Sequence, residues 1–152
     1  MTDFAHTVEM SESMDATAWA VWSVLEDVRH LPEVSPSTIS VDAPARLAEV
    51  GDTFRQTVRV GRRDFTSVWR VEEIAPPHRL VISGSVLPGT HYRMTESVAP
   101  DGPDASTMTL RMDYHLPFGP LGRLAARLGA ERRASSEART VLSGVRRLAE
   151  AP

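Results

Sequence analysis

Two tyrosines and a glutamate recur at alternating positions in the central part of the chain, and these residue types could move a proton on a small carbonyl compound. Tyr92 and Glu96 share a parity with Met94 in one alternating segment, and Tyr114 belongs to another. Burial raises the pKa of a carboxyl, which suits acid or base work on an enolisable ketone, and a tyrosine hydroxyl can donate to a carbonyl oxygen. The alternatives are a solvated strand end for Glu96 and core tyrosines bonded to the backbone.

A second set of polar residues has the opposite parity. His91, Arg93 and Arg70 would face inward if a β-bulge shifted a strand by one residue, and would then offer a base and guanidinium groups. The sequence leaves open which parity faces the interior near residues 91–96. Glu131 is a further candidate, because it lies in the last helical segment where the chain would pass a pocket mouth. Its alternative is a surface carboxylate paired with a neighbouring arginine.

Other kinds of chemistry find no support in the sequence. The chain has no cysteine, which excludes disulfides, thiolate metal sites and cysteine nucleophiles. Its five histidines show no metal-ligand spacing. There is neither a glycine-rich phosphate loop nor a Gly-x-Ser-x-Gly nucleophile elbow. We therefore expect no metal site and no cofactor.

Length and composition indicate one globular domain over residues 1–152, since 41% of the residues are apolar and 24% are charged. No apolar run approaches the roughly 20 residues needed to span a bilayer, and the first residues lack the features of an export signal. The net charge of −3 does not indicate a nucleic-acid partner. We expect a cytoplasmic monomer or homodimer that neither binds nucleic acid nor inserts into membranes.

The spacing of apolar residues predicts the order of elements. Phe4 to Met10 alternates as a strand, and a helix is expected over about 16–27, with cap candidates at residues 13–15. A helical turn and loop follow, and then six strands over residues 39–115, joined by turns too short for crossover helices. The last segment is helical to the chain end, with a kink or short break expected at Gly129.

That order predicts a cavity. One helix about 10 Å across cannot cover the concave face of a strongly curved sheet of six or seven strands, so an apolar space remains for a small molecule. The residues expected to line it, besides the tyrosines and Glu96, are Phe54, Gln56, Val58, Phe65, Ser67, Trp69, Ile82, Met94, Leu110 and Met112.

Four short motifs accompany this order of elements. They are Val21-Trp22 with Leu25 and Asp27 in the first helix, Gly51-Asp52-Thr53-Phe54 opening a strand, Trp69-Arg70-Val71-Glu72-Glu73 before a proline turn, and Tyr114-His115-Leu116-Pro117-Phe118-Gly119 before the last helix. With them the whole chain resembles the START-like helix-grip (SRPBCC) superfamily, in its polyketide cyclase/dehydrase and lipid-transport branch. The motifs are structural and contain no catalytic signature.

The resemblance implies an α+β helix-grip fold, in which a curved antiparallel sheet of about seven strands grips a long C-terminal helix around an apolar cavity. Two short helices would follow the first strand. It also implies that the cavity binds a hydrophobic small molecule, polyketide-like or lipid. Two functions are open: a cofactor-free polyketide cyclase or dehydratase, which we favour, and a non-catalytic carrier of a lipid or hydrophobic metabolite. Related cyclases use pocket arginines and tyrosines to polarise ketone oxygens, which keeps Arg93 and the tyrosines among the candidates.

Overall fold

Seven strands and a long C-terminal helix make up the fold in the computed structural model. It describes residues 6–85, 89–115 and 120–152, except the side chains of 120–128, 130 and 131. The elements in chain order are β1 (His6–Met14), α1 (Ala18–Leu25), a 3₁₀ turn (Val28–His30), α2 (Leu31–Val34), β2 (Thr38–Asp42), β3 (Thr53–Val60), β4 (Arg63–Ala75), β5 (Arg79–Gly84), β6 (His91–Pro100), β7 (Ser106–His115) and α3 (Pro120–Glu150).

The strands form one antiparallel sheet in the order β1-β7-β6-β5-β4-β3-β2. The predicted meander of six strands is confirmed, and β1 joins it beside β7. The pairing of β6 with β7 is continuous, with Tyr92 opposite Tyr114 and Met94 opposite Met112. Because side chains alternate along a strand, this register places residues of the same parity from neighbouring strands side by side on one face.

The junction between β1 and α1 differs from the prediction. β1 continues to Met14, which is 1% exposed, because its pairing with β7 extends as far as Ser106. The helix therefore begins later, at Ala18. Its N-cap is Thr17, whose side chain accepts a hydrogen bond from the backbone N–H of Ala20 at 3.1 Å. The predicted cap at residues 13–15 is wrong, since those residues lie at the end of the strand or just after it.

Helix α3 packs on the sheet and the other helices through its C-terminal half. Its buried residues Ala138, Val141, Leu142 and Val145 follow helical spacing and join the core of the sheet. The backbone N–H of Asp15 donates to a carboxylate oxygen of Glu150 at 2.8 Å and ties the end of α3 to the end of β1. The helix is continuous through Gly129, so the break suggested there as one alternative is wrong. No helix in the described ranges is long and apolar enough to cross a lipid bilayer.

Two glycines of α3 have opposite surroundings, which gives a matched test of how this helix packs. A Cβ built on Gly144 would lie 2.7 Å from Cβ of Val34 and 3.0 Å from its Cα, whereas one on Gly129 meets no atom within 4 Å. Gly144 thus allows α2 to approach α3 closely.

We expect Gly144→Ala to destabilise the protein by about 1–3 kcal/mol, because α2 must move away from α3. Gly129→Ala should instead stabilise it by up to about 1 kcal/mol, since alanine is the better helix former and the space is open. Urea denaturation of both variants measures the difference. Equal changes in the free energy of unfolding would contradict the close approach of α2.

Candidate functional site

A cavity of about 530 Å³ lies between the concave face of the sheet, the segment from α1 to β2, and α3. Its volume is in the range of small-molecule sites. Most of the wall is apolar, and these residues are Val24, Leu25, Val28, Leu31, Val34, Phe54, Val58, Val60, Trp69, Leu80, Ile82, Met94, Met112, Ala134, Val141 and Val145. The polar and charged residues of the wall are Asp27, His30, Ser35, Ser37, Gln56, Tyr92, Glu96, Tyr114, Arg133 and Glu137.

Strand β6 resolves the parity that the sequence left open. Tyr92, Met94 and Glu96 line the cavity. His91 and Arg93 have the opposite parity and are exposed on the other face of the sheet. The pairing of β6 with β5 and with β7 runs without a register shift, so no bulge exchanges the faces. The inward orientation considered for His91 and Arg93 is therefore wrong.

Glu96 is a carboxyl on an apolar stretch of the wall. Its neighbours across the sheet are Leu80 on β5 and Leu110 on β7, both fully buried. Among the described residues no side chain or backbone group makes a hydrogen bond or ion pair with the carboxyl, and its burial raises its pKa to about 7. Near neutral pH the carboxyl therefore populates both its protonated and its ionised form.

The two tyrosines form a stacked pair farther along the same face. Their ring centroids are 5.8 Å apart, with an angle of 18° between the rings. Burial raises the pKa of Tyr92, and the positive charge of Arg133 on α3 opposes that rise. The Tyr92 hydroxyl is therefore protonated at neutral pH and can donate a hydrogen bond to a molecule in the cavity. Tyr114 is 1% exposed, so its side chain is buried within the wall of the cavity.

A chain of hydrogen bonds crosses the cavity wall from Trp69 to Glu137. The indole Nε1–H of Trp69 donates to Oε1 of Gln56 at 2.8 Å, and Nε2 of Gln56 donates to Oγ1 of Thr38 at 2.7 Å. Thr38 donates in turn to Oγ of Ser35 at 2.9 Å, and Ser35 donates to Oε1 of Glu137 at 2.5 Å. The chain connects β4, β3, β2 and α3.

Local sequence features hold both ends of this hydrogen-bond chain. Gly84 lies opposite Trp69 in the sheet, and a Cβ on it would be 2.8 Å from the indole ring, so only glycine leaves room for the ring there. At the other end Ser37 donates to the same Glu137 oxygen at 2.8 Å. Ser35 and Ser37 flank Pro36 in the tight connection between α2 and β2, which brings both hydroxyls to one side.

Asp27 and His30 contribute a further polar group where the 3₁₀ turn borders the cavity. Nε2 of His30 lies 3.8 Å from Asp27, and Nδ1 lies 3.9 Å from Glu33. Arg29 forms a two-pronged pair with Asp27 at 2.7 and 2.8 Å, and this hydrogen bonding lowers the pKa of Asp27. Within the described part of the chain no three histidine, aspartate or glutamate side chains are grouped so that they could hold a metal ion.

Most of the predicted wall residues line the cavity, and three do not. Leu110 is fully buried in the core beneath the wall. Ser67 is 1% exposed, and its hydroxyl has no hydrogen-bond partner among the described residues. Phe65 is partly buried near the Gly61 turn at the end of the β3–β4 hairpin. Glu131 lies on α3, but its side chain is outside the described residues.

Sequence reasoning missed the polar residues that come from outside the sheet: Asp27, His30, Ser35, Ser37, Arg133 and Glu137. For α3 a signal existed. Glu137 precedes Val141 by four residues, and Arg133 precedes Glu137 by four, so both lie in line with the buried stripe of the helix. The two serines belong to a loop whose path only the tertiary structure determines.

Comparison with known proteins agrees with this architecture. Residues 5–150 match the model of the family described as polyketide cyclase/dehydrase and lipid transport. The chain belongs to this family. It is also 30% identical over 124 residues to the uncharacterized proteins MT1597 and Rv1546 of Mycobacterium tuberculosis, an alignment that covers 80% of this chain and 86% of each relative.

Solved structures of similar proteins show how widely the fold is shared. The ZhuI aromatase/cyclase from Streptomyces sp. R1128 superposes with a TM-score of 0.80 at 20% identity, over 95% of this chain and 93% of that one. A START superfamily protein from Mycobacterium smegmatis superposes with a TM-score of 0.70 at 19% identity, over 95% and 99%. At these identities the likeness concerns the fold, and the family's helix-grip architecture is confirmed.

The desolvation of the Glu96 carboxyl predicts a specific pH dependence of stability. The pKa of this group rises from 4.5 to about 7 on folding, so the folded state binds the proton more tightly. Its contribution is complete below pH 4.5 and is lost as the pH rises to about 7, with a total on the order of 3 kcal/mol. Glu96→Gln should remove this part of the pH dependence, as measured by urea denaturation at several pH values.

Glu9→Gln is the matched control, because Glu9 is exposed on β1 and does not line the cavity. It should keep the wild-type dependence. If Glu96→Gln and wild type lost stability in parallel between pH 4.5 and 7, Glu96 would not be the group whose pKa rises on folding.

Proposed function

We propose that the cavity binds a hydrophobic small molecule containing ketone groups, and that the protein acts on it as a cofactor-free polyketide cyclase or dehydratase. The observation that carries this proposal is the Glu96 carboxyl, which faces an apolar cavity without a described partner and has a pKa of about 7. A carboxyl kept only to support the fold would be paired or solvated. A general base, in contrast, works best when its pKa lies near the operating pH.

The spacing along β6 indicates the shape of the ligand. Tyr92 and Glu96 are four residues apart on one strand, which places their Cα atoms roughly 13 Å from each other, with Met94 between them. They therefore contact different parts of one extended or folded molecule. In this proposal the Tyr92 hydroxyl holds one carbonyl oxygen and Glu96 acts on the carbon next to another.

The proposed reaction needs only one proton carrier. Ionised Glu96 removes a proton from the carbon beside a ketone, and the enolate carbon attacks a second carbonyl carbon of the same molecule. The new C–C bond leaves an alkoxide, which takes the proton back from Glu96 to give a cyclic alcohol. For the dehydration, Glu96 removes a second proton, from the carbon beside that alcohol. Glu96 then donates this proton to the hydroxyl group, which leaves as water. The apolar wall keeps bulk water from quenching the enolate.

The alternative is a carrier that binds a lipid or hydrophobic metabolite without chemistry. The observation in its favour is the wall itself, of which more than half of the residues are apolar. Both functions require a bound apolar molecule, and they differ in whether Glu96 transfers a proton.

Uptake of an apolar dye tests the step that the two functions share. A fluorescent apolar probe of naphthalene size should bind at about one site per chain, quench tryptophan fluorescence through Trp69, and raise the melting temperature. At a free concentration of 100 times Kd, mass action predicts about 2.7 kcal/mol of added stability. A protein that takes up no probe and melts at an unchanged temperature has no open cavity in solution.

Turnover separates the enzyme from the carrier. With a panel of 1,3-diketones and poly-β-ketone thioesters, Glu96→Gln should lower kcat by about 10²–10⁴-fold and leave ligand affinity within a few-fold, because the amide is similar in shape but cannot take the proton. Tyr92→Phe should lower kcat/KM by about 10- to 100-fold through loss of one hydrogen bond.

His91→Gln is the control for both variants, since His91 is exposed on the opposite face of the same strand. It should retain wild-type turnover. Tight binding of these compounds without turnover, in the wild type as well, would assign the protein to the carriers.

A further inference from the structure

Glu137 is a second carboxylate on the cavity, and its two oxygens have different surroundings. Oε1 accepts hydrogen bonds from Ser35 at 2.5 Å and from Ser37 at 2.8 Å. Oε2 has no hydrogen-bond or ion-pair partner among the residues described, although Glu137 is partly buried and borders the cavity. A carboxylate oxygen can accept about two hydrogen bonds, so the second oxygen retains its full capacity.

The hydrogen-bond chain that ends at Glu137 has a single direction. Every donor from Trp69 through Gln56 and Thr38 to Ser35 points toward the carboxylate. Aligned donors polarise one another, and the terminal acceptor is therefore held in place. Five hydrogen bonds, counting the one from Ser37, thus fix the orientation of Glu137 before any ligand arrives.

We propose that Glu137 is a specificity-determining residue whose Oε2 accepts a hydrogen bond from a hydroxyl group of the ligand. The ligand class is then an apolar molecule with a hydroxyl at the end that approaches α3. This inference rests on the proposed function, because it requires the cavity to bind a small molecule. A site built to bond a hydroxyl discriminates against an analogue that lacks the donor, since the bound analogue displaces water from the acceptor and leaves it unpaired.

Arg133 makes a neutral hydroxyl the better partner than an amine. It lies one helical turn before Glu137, borders the same cavity and forms no ion pair with another described residue. A cationic group beside Glu137 would meet this guanidinium as well as an apolar wall. A neutral hydroxyl can donate to Glu137 without bringing a second positive charge into the cavity.

The test uses a matched series of probes on the full chain, measured by isothermal titration calorimetry. 2-Naphthol donates a hydrogen bond, 2-methoxynaphthalene has the same oxygen without the donor, and 2-naphthylmethylamine carries a cation. Wild-type protein should bind 2-naphthol about tenfold or more tightly than the other two, the gain expected for a hydrogen bond to a charged group.

Glu137→Gln should reduce the preference for 2-naphthol over 2-methoxynaphthalene to about threefold or less. The amide oxygen still accepts from the serines while the amide nitrogen presents a donor to the cavity, so the ether loses its disadvantage. Glu9→Gln, which also removes one negative charge but lies outside the cavity, should leave the preference unchanged.

The outcomes distinguish this inference from the proposed function. If none of the three probes binds, the cavity itself is not a binding site. If all three probes bind the wild type with equal affinity, the cavity is a binding site but the role proposed for Glu137 is overturned. This result needs no variant. A preference that persists in Glu137→Gln and disappears in Glu96→Gln assigns the hydroxyl to Glu96 and overturns the proposal. Tighter binding of the amine than of 2-naphthol overturns the choice of a neutral hydroxyl.

Discussion

One α-helix cannot cover the concave face of a seven-stranded sheet, and the uncovered surface determines the rest of this structure. The buried residues of α3 seal the part of the sheet near the end of β1, from Ala138 to Val145. Elsewhere part of the inward side chains of β3 to β7, among them Phe54, Ile82 and Met94, line a space. Interiors are normally close-packed, and a cavity of about 530 Å³ lowers stability unless something fills it. In the proposed function a bound apolar molecule fills this space.

The two carboxyl groups that border the cavity, those of Glu96 and Glu137, have different surroundings. Glu96 has no described hydrogen-bond partner and only apolar neighbours across the sheet, so desolvation raises its pKa to about 7. Glu137 receives two hydroxyl donors on one oxygen and terminates a chain that begins at an indole. One residue type thus supplies a carboxyl without a described partner on the sheet and a carboxylate held by two serines on the helix.

The hydrogen-bond chain also explains how a cavity can have a stable wall. The segment from α2 to β2 has few apolar residues of its own to bury, and Ser35, Thr38 and Gln56 tie it to β3 and to α3. Gly144 brings α2 against α3, and Gly84 leaves space for the Trp69 ring. Gly84, Gly144 and the polar side chains of Ser35, Thr38 and Gln56 therefore support the wall of a space whose lining is mainly apolar.

The sequence by itself determined the order of elements, the antiparallel meander and the parity of the strands, because alternation with period two fixes which side chains share a face. It therefore placed Tyr92, Met94 and Glu96 on one face. Whether that face or the face of His91 and Arg93 points inward stayed open, because a bulge is not visible in the sequence pattern. It predicted neither the late start of α1 at Ala18 nor the continuous path of α3 through Gly129. Only the tertiary structure decided that Glu137 meets Ser35 and Ser37, about 100 residues away in the chain. No periodicity encodes that contact, since it depends on how closely α2 packs against α3 and on where the loop around Pro36 turns.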